Sequence, residues 1–230
     1  MSDEQSRDLR SFGRRRSRRL TDRQSSLLDS LLPQVSLNLA DPPPGDLRDL
    51  FRQDVDQVWI EIGFGGGEHL IWQAKNNPNV GIIGCEPFID GTVKVVDAVA
   101  DGPLHNVRLY PDDARDVLRW LPAASLDRCF ILFPDPWPKK RHNKRRLVSV
   151  PTLDLLARVL RPSAELRLAT DIGDYARTIL LALAQCGAFQ WTAQRPQHWR
   201  SRPADWPETR YEGKAIKENR RSYYFSLLRK

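Results

Sequence analysis

Val58-Trp59-Ile60-Glu61-Ile62-Gly63-Phe64-Gly65-Gly66-Gly67-Glu68 joins an apolar, strand-like run to a glycine-rich turn and the start of a helix-like stretch. Glycines let a backbone turn sharply and approach a ligand closely. As a dinucleotide fingerprint the stretch fails. Gly63-x-Gly65 is present, but the third glycine position holds Glu68. A carboxylate there repels a pyrophosphate seated on the helix N-terminus. Glu61 adds negative charge to the same site. An acid-lined glycine loop suits a ligand with positive charge and no phosphate. S-adenosylmethionine, with a sulfonium, an ammonium and a ribose, has that chemistry.

Two more acids follow at strand ends. Gly84-Cys85-Glu86-Pro87 places Glu86 23 residues after Gly63. A carboxylate there can accept hydrogen bonds from both ribose hydroxyls. Pro111-Asp112-Asp113-Ala114 supplies a third acid, suited to an adenine amino group. Acids at strand ends also cap helices, so each alone says little. Three successive strands ending in acids, after Glu-x-Gly-x-Gly, favour a nucleoside site.

Working outward, short apolar runs recur at 58–63, 80–86, 107–111, 128–133 and 165–170. They read as buried strands. Helix-like stretches lie between them, at about 66–76, 89–100, 113–121, 149–160 and 173–186. This alternation predicts an α/β fold, a mostly parallel sheet with helices on both faces. Past 186 the pattern breaks. Strand-like runs at 189–194 and 223–228 flank a Trp-, Pro- and Arg-rich segment with no helix-length periodicity, so the last strand is expected to run antiparallel.

The chain has 230 residues, one α/β domain with extensions. No run approaches a membrane-spanning length. Three scattered cysteines (Cys85, Cys129, Cys186) argue against a disulfide framework or zinc site and for a reducing compartment. His69, His105, His142 and His198 are too dispersed for a metal, and none is expected. The net charge of +7 is uneven: residues 1–23 carry +4 and residues 139–146 carry +6, leaving a mildly acidic remainder. Two basic appendages point to a polyanion partner. No signal-peptide apolar stretch follows the Arg-rich start, so a cytoplasmic location is expected. Asp41-Pro42-Pro43-Pro44-Gly45 is a strong breaker. It divides a basic N-terminal arm, 1–45, open to disorder, from the α/β domain, 46–230.

Phe133-Pro134-Asp135-Pro136-Trp137-Pro138 runs a buried strand into a proline-stiffened loop with one acid and one large aromatic. Strand ends of open α/β sheets face the ligand crevice. The loop continues into Lys139-Lys140-Arg141-His142-Asn143-Lys144-Arg145-Arg146. An aromatic able to stack on a base, beside a phosphate-binding run, points to nucleic acid.

The segment 133–147 closely resembles the signature of the bacterial-type tRNA (guanine-N7-)-methyltransferases. Glu61-Ile62-Gly63-Phe64-Gly65, Gly84-Cys85-Glu86-Pro87, Asp113-Ala114, Ala169-Thr170-Asp171 and Thr209-Arg210-Tyr211-Glu212 resemble that family's other motifs. The resemblance covers about residues 55–230. It implies a Rossmann-like class I methyltransferase fold with a seven-stranded sheet. It implies methyl transfer from S-adenosylmethionine to N7 of the variable-loop guanosine, position 46, of tRNA. It assigns S-adenosylmethionine contacts to Glu61, Gly63, Gly65, Glu86, Asp113 and Asp135. Lys139, Asp171, Thr209, Arg210, Tyr211 and Glu212 fall to the substrate nucleotide. Arg141, His142, Asn143, Lys144, Arg145 and Arg146 fall to the RNA backbone, and Asp135 becomes the catalytic group.

Thr209 and Glu212 also have the spacing of a helix capping box. Two other functions stay open: an amino-group nucleic-acid methyltransferase, whose Asp-Pro-Pro-Tyr loop resembles Asp135-Pro136-Trp137, and a non-catalytic tRNA-binding protein on the same fold. A nicotinamide-dependent dehydrogenase is disfavoured by Glu68. Whether the chain is a monomer or a homodimer is not fixed by sequence.

Overall fold

The computed structural model describes residues 19–102 and 104–230. Seven strands form one sheet: β1 (Gln57–Ile62), β2 (Val80–Cys85), β3 (Val107–Tyr110), β4 (Leu126–Leu132), β5 (Leu160–Thr170), β6 (Phe189–Trp191) and β7 (Tyr223–Arg229). Their order is β3-β2-β1-β4-β5-β7-β6. The first five are parallel, while β7 runs antiparallel to both β5 and β6. The helices are α1 (Asp22–Ser30), α2 (Leu32–Val35), α3 (Glu68–Asn76), α4 (Ile89–Asp101), α5 (Ala114–Trp120), α6 (Val150–Val159), α7 (Gly173–Cys186), α8 (Gln197–Arg200) and α9 (Arg210–Lys217).

Period-two alternation sorts each strand between two cores. Val58, Ile60 and Ile62 of β1 join residues of α5, α6 and α7 on one face. Trp59 joins residues of α3 and α4 on the other. Both faces are covered, so β2 is buried at all six positions and carries no polar side chain.

The strand order reverses between β1 and β4, which opens a crevice beyond their C-terminal ends. The antiparallel β7 has a second consequence. β6 ends at that same edge and β7 begins there, so residues 192–222 stay on the crevice side. The two short helices α8 and α9 within this segment were not legible as apolar periodicity, because most of their residues are exposed.

The expected N-terminal arm has structure over its second half. Thr21 caps α1 through a complete capping box with Gln24. Arg23 pairs with Asp97 at 3.0 Å and Asp101 at 2.5 Å on α4. Leu27, Leu31 and Leu32 pack against the α3–α4 core, and Ser36 bridges to Leu109 of β3. Residues 1–18, with most of the arginine run, lie outside the described residues.

Tyr175 of α7 is fully buried, and its hydroxyl accepts a hydrogen bond from Val148 N at 3.0 Å. Burial pushes its phenol up to about 12. Tyr175→Phe strands that amide inside the core and should lower the unfolding free energy by about 1–3 kcal/mol in urea titration. An unchanged midpoint would show that the bond carries no net stability.

Candidate active site

A cavity of about 330 Å³ occupies the crevice. Its walls come from the glycine loop after β1, from 86–88 after β2, from 113–115 after β3 and from the 133–137 loop after β4, with Tyr211 of α9. Gly63, Gly65 and Gly67 have φ of 75°, 54° and 80°, a left-handed region that side chains strain to enter. The Tyr211 ring lies directly against Gly65, so any larger residue there would displace it.

Glu86 organises the loop. Its Oε2 accepts from Gly65 N at 2.8 Å and its Oε1 from Phe88 N at 2.9 Å. Burial pushes its carboxyl above the ordinary glutamate value, and the two backbone donors oppose that shift. The amide that would cradle a pyrophosphate is therefore already given to a carboxylate. Glu68 adds to this, because its carboxylate folds back against Gly66. A carboxylate-dominated loop of this kind suits a cationic, ribose-bearing ligand such as S-adenosylmethionine better than a phosphate, and Gly63, Gly65 and Glu86 line the cavity.

Two of the expected contact acids are spent elsewhere. Glu61 points to the other face of β1, as strand alternation requires, and does not line the cavity. Its Oε2 lies 2.7 Å from His69 Nδ1, and His69 Nε2 lies 3.1 Å from Gln73 Nε2. Gln73 Nε2 also donates to Asp205 O at 3.0 Å. This buried chain ties the strand below the glycine loop to the segment that carries Tyr211. Trp206 anchors the same segment, its ring 5.7 Å from His69 and 5.8 Å from Tyr224. Asp113 does line the cavity, but its carboxylate caps α5 through Arg115 N at 3.0 Å and pairs with the Arg115 guanidinium at 2.5 Å. Sequence reading missed both His69 and Arg115. His69 and Gln73 sit four apart on α3, which reads equally as an ordinary helix face.

Asp135 differs from these acids. It lines the cavity, and no protein hydrogen bond or ion pair reaches its carboxylate among the described residues. The surrounding protein pushes its carboxyl above the ordinary aspartate value although the residue stays open to solvent. Phe133 and Trp137, on either side of it, have φ of 51° and 43°. Such left-handed conformations cost about 1–3 kcal/mol each and collect at functional loops. The Trp137 ring lies 5.0 Å under the Arg145 guanidinium and edge-on to His142 at 5.8 Å.

The comparisons with known proteins agree with this geometry. Residues 56–225 match the model of a family described as "Putative methyltransferase". A tRNA (guanine-N(7)-)-methyltransferase of Brucella melitensis is 48% identical over 219 residues, covering 95% of this chain and 94% of that protein. Those of Rhizobium meliloti and Rhodospirillum rubrum are each 46% identical, covering 95% and 100% of this chain and 94% and 91% of theirs. The chain belongs to the tRNA (guanine-N7-)-methyltransferase family. Among solved structures, an antibiotic-related methyltransferase superposes with a TM-score of 0.54 at 18% identity over 77% of this chain and 89% of that one. The 16S rRNA methyltransferase KamB gives 0.53 at 16% identity over 79% and 91%. They share the class I methyltransferase fold.

In this family member the basic run divides in two. Lys139, Arg141 and Lys144 are exposed around the 3₁₀ turn Lys140–Arg145, with Asn143 half-buried. Partial burial and the neighbouring cations hold His142 below the ordinary histidine value. Arg146, expected on the RNA backbone, instead turns inward. It is 3% exposed, donates to Pro136 O at 2.9 Å, pairs with Asp174 at 2.5 Å and lies over Tyr175 at 4.9 Å. It clamps the Asp135 loop onto α7.

The late motif divides as well. Thr209 caps α9, accepting from Glu212 N at 3.2 Å. Glu212 does not close the capping box, because its carboxylate accepts from Tyr224 Oη at 2.5 Å and pairs with Arg202 at 3.3 Å. Asp171 pairs with Arg220 at 2.6 Å. Neither acid lines the cavity, whereas Tyr211 does, with Arg210 over its ring at 5.1 Å. Among the described residues no cluster of His, Cys, Asp or Glu could hold a metal ion, and no helix is long and apolar enough to cross a membrane.

Arg146→Ala should leave the salt dependence of RNA binding unchanged while lowering kcat at least tenfold, through a loosened Asp135 loop. Lys144→Ala should instead reduce the log–log salt slope by about 1. Filter binding at several salt concentrations, with steady-state kinetics, separates the two roles.

Proposed function

We propose that this protein transfers a methyl group from S-adenosylmethionine to N7 of the variable-loop guanosine, position 46, of tRNA in the cytoplasm. The carrying observation is Asp135, an unpartnered carboxylate on a clamped, strained loop in the cavity that Glu86 organises. The printed names of the relatives support the tRNA guanine-N7 reading.

S-adenosylmethionine, when bound, supplies a methyl group on a positively charged sulfur. Guanine N7 carries a free in-plane lone pair at neutral pH, so no proton leaves before attack, and the methylated ring is cationic. The protein therefore needs orientation and anionic surroundings rather than a strong base. Asp135 supplies both. Its carboxylate can accept hydrogen bonds from guanine N1–H and the 2-amino group, which selects guanine, and its charge favours the developing cation. Glu86 fixes the loop against which the nucleoside rests, and Tyr211 and Trp137 close the cavity with aromatic surface. Lys139, Arg141 and Lys144 meet phosphates outside it, and Arg145 stands at its rim over Trp137.

Purified protein, labelled S-adenosylmethionine and unmodified tRNA transcripts should place label in 7-methylguanosine on nucleoside digestion. Label in another nucleoside would overturn the substrate assignment. Asp135→Ala should keep the melting temperature and lose at least about a hundredfold in kcat. Near-normal turnover would remove the assignment. Because the ionised form is needed and the carboxyls of Glu86 and Asp135 are both shifted up, kcat/KM should fall on acidification at a pH above the ordinary carboxylate range.

Deleting residues 2–18 removes most of the arginine run but keeps the Thr21 cap and the Arg23 ion pairs. It should weaken tRNA binding and flatten its salt dependence. An unchanged salt slope would exclude the arm from the interface.

A further inference from the structure

The acidic remainder expected from the charge count hides a third basic stretch. Residues 195–221 hold eight Lys or Arg against four acids. Several of these cations are already paired: Arg202 with Glu212, Arg220 with Asp171, Lys214 with Glu218. Arg195, Arg200 and Arg221 are exposed and make no ion pair among the described residues.

Arg200 is also held in place. Its guanidinium lies 4.6 Å over the Trp199 ring. Trp199 in turn stacks nearly parallel on Tyr223, the centroids 6.1 Å apart and the planes 6° from each other. Stacking fixes the guanidinium plane and leaves its N–H edge free for an acceptor. An arginine ordered before binding loses less freedom when it engages a phosphate.

The position fits the same ligand. Tyr223 is the first residue of β7, paired with Thr170 at the crevice edge of β5. Its hydroxyl lies beside Gly173, the first residue of α7. Arg146, at the end of the first basic run, is tied to Asp174 and Thr178 of that helix. Both basic segments therefore abut the opening turns of α7, with the exposed Arg177 on the same helix.

We propose that Arg195 and Arg200 of the α8 segment, with Arg221, form a second phosphate-binding surface that continues the 139–145 track along the crevice edge and grips the tRNA backbone away from the target guanosine. This rests on the tRNA reading above.

The test is the triple variant Arg195→Gln, Arg200→Gln, Arg221→Gln, assayed against wild-type protein for tRNA binding over a range of salt. The expected result is a tRNA Kd raised about tenfold or more and a log–log salt slope reduced by about 2, with S-adenosylmethionine affinity unchanged. A control triple, Arg52→Gln, Lys75→Gln, Arg119→Gln, removes equal charge from the opposite edge of the sheet and should leave the slope as it was.

A wild-type slope in the first triple, or an equal loss in the control, overturns the surface while leaving the tRNA reading intact. Failure of wild-type protein to bind tRNA at all overturns both. Trp199→Leu, which removes the stack but no charge, should weaken binding about threefold or more. Wild-type affinity there would show that Arg200 needs no platform.

Discussion

A single hydrogen bond, from the Gly65 amide to the Glu86 carboxylate, sets the shape of the glycine loop at the head of the crevice. It joins the loop after β1 to the end of β2. It fills the concavity that related folds reserve for a phosphate. It also needs glycine twice over, since Gly65 itself takes a left-handed backbone and Gly91 of α4 packs where a Cβ would collide with the Gly65 carbonyl. One side chain thus fixes the backbone of the glycine loop on a widely shared scaffold.

Much of the scaffold was readable because the burial is so regular. β2 is apolar at every position and α7 repeats its buried residues at three and four, so period and composition agree. The antiparallel β7 was legible from the break in alternation. The folding of 21–37 onto α4 was not, although Thr21 and Gln24 carried the signal of a capped helix start. Its apolar contribution is a few leucines, too sparse to outweigh a charged neighbourhood.

Within the site, sequence located the loops better than the roles. Glu86 and Asp135 stand in the cavity as expected. Glu61, Asp113, Asp171 and Glu212 are acids whose pairing partners come from remote or locally ambiguous positions: His69, Arg115, Arg220 and Tyr224. Only the folded chain shows which carboxylates are already engaged by protein partners. The same holds for the cations. Arg146 sits one residue from Arg145 in the basic run, yet it is buried against Tyr175 and paired with Asp174.

The direction of β7 reaches beyond the crevice. Having started at the ligand edge, the strand carries the chain to the far side of the sheet, where Lys230 bonds to Ala188 O and Gly187 O. Lys230 is therefore separated from the crevice edge by the full length of a strand. An affinity handle, a fluorophore or a surface tether joined there would leave the mouth of the crevice unobstructed.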